Sequence, residues 1–387
     1  MRIGIDASRA FADEPTGTER YAFEIIIRMF QLPEAREHEW ILYVKSNFQF
    51  SMTNFQSIFN IKYLKLKIIP IGLPYLWTQA GLAFRTWVDK LDRLWVPAHT
   101  LPVLRKPGLK TVVTIHGIEY EWLPAYENKL QRWYLPWSTI YAVNQANTVI
   151  AVSEFTKSQL IARLNADPNK IKVVLEGYET NFQYSITNFK SKSSDTIFQK
   201  YKLRSKEYIL FIGTIQPRKN LERLIEAYSK LQIKNDKSQK NHLKLVIAGK
   251  MGWSYEGVLA APEKFGVQDK VIFTGYIDDY TRKELLHQAL VYVQPSITEG
   301  FGLPVLEAMD ALVPVVSSNG GALAEVVGEA GVLFDPEDTE EIGHKLTLVI
   351  SSHSLQYELI RKGRERIRDF SWDMAARETL GIISSNL

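Results

Sequence analysis

The chain has 387 residues, 45% hydrophobic and 23% charged, with a formal net charge of +4. This is a globular composition long enough for two domains, and its mild basicity argues against a dedicated nucleic-acid binder, which concentrates positive charge. The absence of cysteine excludes disulfides, cysteine-ligated zinc, iron–sulfur clusters and thiol nucleophiles.

Residues 1–6 read as a buried strand rather than a signal peptide, and no run of eighteen apolar residues occurs, so the cytosol is the expected compartment. Short apolar β-rich runs follow at 40–44, 63–69, 93–96, 111–115, 148–152 and 171–175. In the second half they lie at 208–212, 243–248, 271–274, 291–293, 314–317 and 331–334. Several are apolar on both faces, as strands of a covered parallel sheet are. Helical patterns lie between them. Leu221, Leu224, Ile225, Tyr228 and Leu231 share one helical face, and residues 22–29 form an early helix.

The alternation predicts an α/β protein with two parallel-sheet domains. The N-terminal domain spans 1–180. A linker rich in Ser, Asn, Thr and Lys spans 181–206, and the C-terminal domain spans 207–370. Residues 371–387 read as a closing helix that crosses back to the N-terminal domain, with Trp372, Met374, Ala375, Leu380 and Ile382 at buried positions. Residues 232–241, polar and Lys-rich, read as a solvated loop or helix end.

Four motifs carry chemistry. Glu299-Gly300-Phe301-Gly302-Leu303-Pro304-Val305-Leu306-Glu307 follows an apolar strand. Pro304 suits the first turn of a helix, which leaves the amides of Phe301, Gly302 and Leu303 as anion donors. Gly300 and Gly302 allow close approach of a ligand, and both carboxylates can face it. Alone, the run also fits a plain glycine turn with Glu307 on a solvated face. Gly213-Thr214-Ile215-Gln216-Pro217-Arg218-Lys219-Asn220 follows another strand, with Asn220 as helix cap. Arg218 and Lys219 then stand at a helix start, where cations are disfavoured unless an anion binds. Two surface cations are the alternative. His116 ends the strand 111–115, at the edge where ligands bind in open α/β folds, although a structural histidine fits there too. Gly17 lies in a loop opening the first helix. No G-x-G-x-x-G fingerprint occurs, which weakens a dinucleotide reading.

Together these residues resemble the retaining glycosyltransferases of family 4, which have the GT-B fold: two Rossmann-like parallel-sheet domains facing a central cleft. Glu299 and Glu307 flanking Gly-Phe-Gly-Leu-Pro, the loop from Gly213 to Asn220, Phe273-Thr274-Gly275-Tyr276, His116 and the loop around Gly17 carry the resemblance. The form Gln-Pro-Arg-Lys-Asn is similar to mannosyltransferase-type members that build bacterial surface polysaccharides. The resemblance implies an N-terminal acceptor domain and a C-terminal domain for a nucleotide-diphospho-sugar, GDP-mannose favoured. Arg218 and Lys219 neutralise the donor diphosphate, and Gly213 belongs to that loop. Glu299 holds sugar hydroxyls, with Gly300, Phe301, Gly302 and Leu303 meeting sugar or diphosphate. Glu307 takes the ribose and Tyr276 lies by the nucleobase. His116 contacts the transferred sugar, and Gly17 faces the diphosphate from the other domain. Gly117 stands where many members have Asp after the histidine.

No cofactor is expected. Asp278-Asp279 is expected in an exposed loop and no Asp-x-Asp lies at a strand end, so no essential metal is expected either. A GT-B epimerase, a donor hydrolase, a phosphorylase, a two-carboxylate glycosidase and a non-catalytic sugar-nucleotide binder are the rivals. The acceptor is expected to be a glycan or a lipid-diphosphate-linked sugar. Aromatics interleaved with cations (63–67, 73–77, 84–87, 132–134) suit a peripheral contact with the cytosolic membrane face. Most of them, Trp77 and Trp87 included, equally fit a buried core.

Overall fold

The computed structural model describes residues 1–11, 17–46, 55, 61, 63–73, 76–118, 129–178, 194–231 and 242–385. The chain divides into two compact units, Met1–Gly177 with Phe370–Leu387, and Tyr178–Asp369.

In the first unit the strands are β1 (Arg2–Asp6), β2 (Glu39–Lys45), β3 (Lys65–Ile71), β4 (Arg93–Val96), β5 (Lys110–Ile115), β6 (Thr148–Ala151) and β7 (Ile171–Val173). They form one parallel seven-stranded sheet in the order β3-β2-β1-β4-β5-β6-β7. The second unit contains β8 (Tyr208–Ile212), β9 (Lys244–Ala248), β10 (Val271–Gly275), β11 (Val291–Gln294), β12 (Val315–Ser318) and β13 (Gly331–Phe334). These make a parallel six-stranded sheet in the order β10-β9-β8-β11-β12-β13. Every run expected to be a strand is one, because burial on both faces leaves an apolar signature that needs no partner to be read. β4, β6, β8, β11 and β12 are buried at every position.

Each strand order reverses once, between β1 and β4 and between β8 and β11. This is the doubly wound Rossmann arrangement, in which ligands bind beyond the carboxyl ends of the strands at the reversal. The reversal therefore selects two pairs of loops, those after β1 and β4 and those after β8 and β11.

Two local expectations change. The first helix runs Gly17–Gln31, so Gly17 opens the helix itself rather than a preceding loop. Part of the expected linker is a helix, Ser194–Tyr201, which belongs to the second unit. Phe198 lies 6.5 Å from the Tyr208 ring, and the Lys244 ammonium donates to the carbonyls of Tyr201 and Lys202 at 2.6 and 2.9 Å. Its polar composition hides those anchors. The solvated segment expected at 232–241 lies outside the described residues.

The closing helix, Trp372–Ser384, packs in the first unit against the helix Gly17–Gln31. Its buried stripe is Trp372, Ala375, Ala376, Thr379, Leu380 and Ile383, a 3.6-residue repeat. Met374 and Ile382 fall off that stripe, Met374 exposed and Ile382 half-buried, contrary to expectation. Trp372 sits 6.1 Å from the Tyr21 ring, and Asp373 accepts from Arg28 at 2.8 Å. The backbone of Trp372 presses on Gly177, where an added Cβ would lie 2.1 Å from the Trp372 nitrogen. Gly177→Ala is therefore expected to cost about 2–3 kcal/mol through overpacking. Gly381→Ala, on the same helix with nothing within 4 Å of its Cβ, is expected to gain about 0.5–1 kcal/mol. Urea unfolding of the two variants reads both signs.

Candidate active site

The loops after β8 and β11 are joined by backbone and side chains. Ile297 N–H donates to the Arg218 carbonyl at 2.9 Å. Pro217–Lys219 forms a 3-10 turn ending at Asn220, which is left-handed with φ 59°. Asn tolerates that region better than most residues. Asn220 was expected to cap the following helix, but its side chain makes no capping bond. It donates instead to the carbonyls of Pro295 and Pro336, at 3.1 and 2.7 Å, and so pins three strand-end loops together.

Glu299 is the centre of the site. Its Oε2 accepts from Arg218 Nη1 at 2.7 Å. Its Oε1 accepts from Lys219 Nζ, from Gln294 Nε2 at 3.0 Å and from Ser296 Oγ at 2.6 Å. Lys219 and Glu299 are each 8% exposed. The two cations are thus not surface groups. The sequence conceals this because the carboxylate that draws them inward lies about eighty residues away. Burial alone opposes ionisation of Glu299, yet Arg218 and Lys219 outweigh it and hold the carboxyl well below the usual carboxylate range.

A further ring of polar groups, invisible in the motifs, orients Glu299. Tyr292 OH donates to Gln294 Oε1 at 2.5 Å, Gln294 Nε2 to Ser296 Oγ at 2.8 Å, and Ser318 Oγ to the Ser296 carbonyl at 2.5 Å. Gly321, at φ 69°, lies so close that a Cβ would be 2.4 Å from the Glu299 backbone, and Ala322 N–H donates to the Glu299 carbonyl at 2.8 Å. The alternation Tyr292-x-Gln294-x-Ser296 was the available signal: it puts three polar groups on one face of a buried strand and its continuation.

The helix Leu303–Asp310 follows, with Pro304 in its first turn and Gly302 at φ 114° before it. Phe301 is buried. Glu307 is buried one turn in, not on a solvated face, and pairs with Arg282 at 3.0 Å. Arg282 comes from the helix Asp279–Gln288, whose cap is Asp278, accepting from Thr281 N–H at 2.7 Å. The expected loop at Asp278-Asp279 is therefore a helix start. Tyr276, just before it, is exposed. Gly213 directly follows β8 and begins the loop that carries Arg218 and Lys219.

Gly17 and His116 belong to the other unit. His116 follows β5, and Gly117 beside it adopts φ 152°. Both ring nitrogens are engaged: Nδ1 with Glu176 Oε1 and Nε2 with the Pro97 carbonyl, each at 3.0 Å. Tyr21 packs edge-on at 4.6 Å. Pro97 follows β4, so His116 adjoins the reversal of the first sheet. Glu176 was not foreseen, since nothing near it in sequence marks it. Among the described residues no cluster of three His, Asp or Glu side chains could hold a metal ion.

Two successive Rossmann-type sheets, the second with a cationic cluster at its strand reversal, define a GT-B glycosyltransferase. The family "Glycosyl transferases group 1" matches residues 193–366, and "Glycosyltransferase Family 4" matches residues 17–182. O-antigen chain mannosyltransferase B of Escherichia coli is 30% identical over 281 residues, covering 70% of this chain and 69% of that protein. Serotype-specific mannosyltransferase WbdA of Escherichia coli is 28% identical over 230 residues, 59% of this chain but only 27% of WbdA. The crystal structure of WaaG, a glycosyltransferase involved in lipopolysaccharide biosynthesis, superposes with a TM-score of 0.70 at 18% identity, over 99% of this chain and 100% of that one. The chain belongs to glycosyltransferase family 4 and is a hexosyltransferase of the group 1 type.

Removing one partner of a buried ion pair strands the other charge, at a cost of about 3–5 kcal/mol. Lys219→Met is therefore expected to lower stability by that amount. In the double variant Lys219→Met/Glu299→Gln much of the loss should return, a non-additivity read by urea unfolding. The depressed carboxyl fixes the sign of the pH dependence. The stabilisation is complete above the unfolded-state pKa of about 4.3 and fades as pH falls toward the lower folded value.

Proposed function

We propose that the enzyme transfers mannose from GDP-mannose, with retention, to a glycan or lipid-diphosphate-linked acceptor in surface polysaccharide biosynthesis. The observation that carries this reading is the cluster at the reversal of the second sheet: two cations, Arg218 and Lys219, against one carboxylate, Glu299. The excess positive charge suits a group that gains negative charge as it leaves, which a nucleoside diphosphate does and an alkyl or water leaving group does not. The helix start at Leu303 adds donors of the same sign. The name of the Escherichia coli relative matched over 69% of its length supports mannose as the sugar.

In this reading the enzyme supplies no nucleophile. Arg218 and Lys219 stabilise the departing diphosphate, and the acceptor hydroxyl attacks from the same face while giving up its proton to it. Glu299 Oε1 is filled by three donors, so Oε2 meets the sugar hydroxyl. Glu307, steadied by Arg282, takes the ribose, and Tyr276 lies against the base. Gly17 leaves room for the diphosphate. His116 exchanges the Pro97 carbonyl for a sugar hydroxyl while Glu176 keeps the ring oriented.

Thermal-shift titration against GDP-mannose, UDP-glucose, UDP-galactose and UDP-N-acetylglucosamine tests the donor. GDP-mannose is expected to raise the midpoint most, and a larger rise with any UDP-sugar overturns the assignment. Arg218→Gln is expected to lower kcat about a hundredfold, the effect of losing roughly 3 kcal/mol of leaving-group stabilisation. Nuclear magnetic resonance of the product should show the anomeric configuration of the donor.

A further inference from the structure

The first unit carries an apolar surface that the transfer chemistry does not use. The helix Lys129–Gln145 buries Ser138, Thr139, Ala142 and Val143 on its inner side. Its outer side is apolar too: Trp133 is 67% exposed, and Trp137 and Ile140 lie on the same stripe in the open. An exposed stripe of large apolar side chains, on a helix whose other side already meets the core, marks a surface that meets a further apolar phase. Trp133 and Trp137 stack at 6.2 Å, and Trp137 and Tyr141 at 5.6 Å.

Two neighbouring segments extend the surface. A π-helical turn, Trp77–Leu82, leads into the helix Ala83–Val88, whose Phe84, Trp87 and Val88 are exposed. Trp87, at 55% exposure, is thus not the core residue its type suggested. Its indole N–H donates to the Leu104 carbonyl at 3.0 Å, and Leu104 itself is open to solvent. Gln79 joins all three segments: Nε2 donates to the Leu101 carbonyl and to Tyr134 OH, and Oε1 accepts from Val103 N–H at 3.0 Å. The surface is therefore one fixed face.

The charges around it are predominantly positive. Residues 76–118 hold six Lys and Arg, with Lys90, Lys106 and Lys110 among them, against two acids, Asp89 and Asp92, and Asp89 pairs with Arg85 at 2.8 Å. Residues 129–145 contain no Asp or Glu. We infer that this face docks the enzyme on an anionic lipid bilayer, with the exposed rings and aliphatic side chains in the headgroup boundary and the cations on lipid phosphates. A two-fold contact with a second copy would set this net-positive rim against itself. A sugar-stacking platform needs rings, whereas Val88, Leu104 and Ile140 offer none. The inference deepens the proposed function by saying where a lipid-borne acceptor is met, and rests on that reading for the acceptor alone.

The test is co-sedimentation with phosphatidylglycerol–phosphatidylcholine vesicles and with pure phosphatidylcholine vesicles, at low and high salt, without substrates. The expected result is binding to the anionic vesicles at low salt that weakens in high salt, since screening removes the charge term. Phe84→Ser/Leu104→Ser/Trp133→Ser and Lys90→Glu/Lys106→Glu/Lys110→Glu are each expected to cut partitioning at least about tenfold. Both should keep the wild-type thermal shift with GDP-mannose. No binding of the wild type at low salt, wild-type partitioning by both variants, or a dimer or glycan complex lost in the serine variant without vesicle binding overturns the docking face. Loss of the nucleotide shift in the wild type overturns the donor assignment and leaves the docking result standing.

Discussion

The buried carboxylate of Glu299 holds the second unit's site together. It lies on the loop after β11, its cations lie on the loop after β8, and those strands are neighbours only because the sheet order reverses between them. Each ion alone would be costly in so dry a place, and the arrangement is tolerable only when geometry and hydrogen bonding are nearly complete. Here they are, with three donors on Oε1 and one on Oε2. Such clusters are rarely the most stabilising way to fill a core. Their use is that they fix charged groups in advance, so that little reorganisation is needed when charge develops nearby.

Strand positions were almost wholly legible in the sequence, because burial on both faces writes itself locally. The site was legible in its charged members and not in its supports. Arg218, Lys219 and Glu299 stand in glycine-flanked runs after strands, so their position on a ligand-facing edge follows from chain order. Their mutual burial does not, since it depends on loops about eighty residues apart meeting. Gln294, Ser296, Ser318 and Gly321 carry no charge and fall in no dense motif, and Arg282 and Glu176 stand far in sequence from the residues they hold. The Asn220 cap failed for a related reason. Its local pattern fits a cap, but two carbonyls from other loops hold its amide nitrogen and Arg223 donates to its Oδ1 at 3.0 Å, which leaves no acceptor for the helix amides.

Tryptophan shows the same limit. Trp40, Trp95 and Trp372 are fully buried, each on a strand or helix face that meets the core. Trp87 and Trp133 have the same side chain and similar apolar neighbours, yet they face outward. Type and local hydropathy do not separate these fates. What separates them is whether the opposite side of the same helix is already committed to the core, as Ala142 and Val143 commit theirs.

Net charge misleads in a parallel way. A value of +4 over 387 residues suggests no particular partner. The mean hides a partition, because residues 76–118 hold six Lys and Arg against two Asp, while carboxylates elsewhere offset them. Electrostatic attraction to a surface is decided within about a Debye length, roughly 8–10 Å. The relevant quantity is thus the local sum on one face and not the total. On that face the local sum is positive and the apolar groups are outward, and only the fold brings the two together.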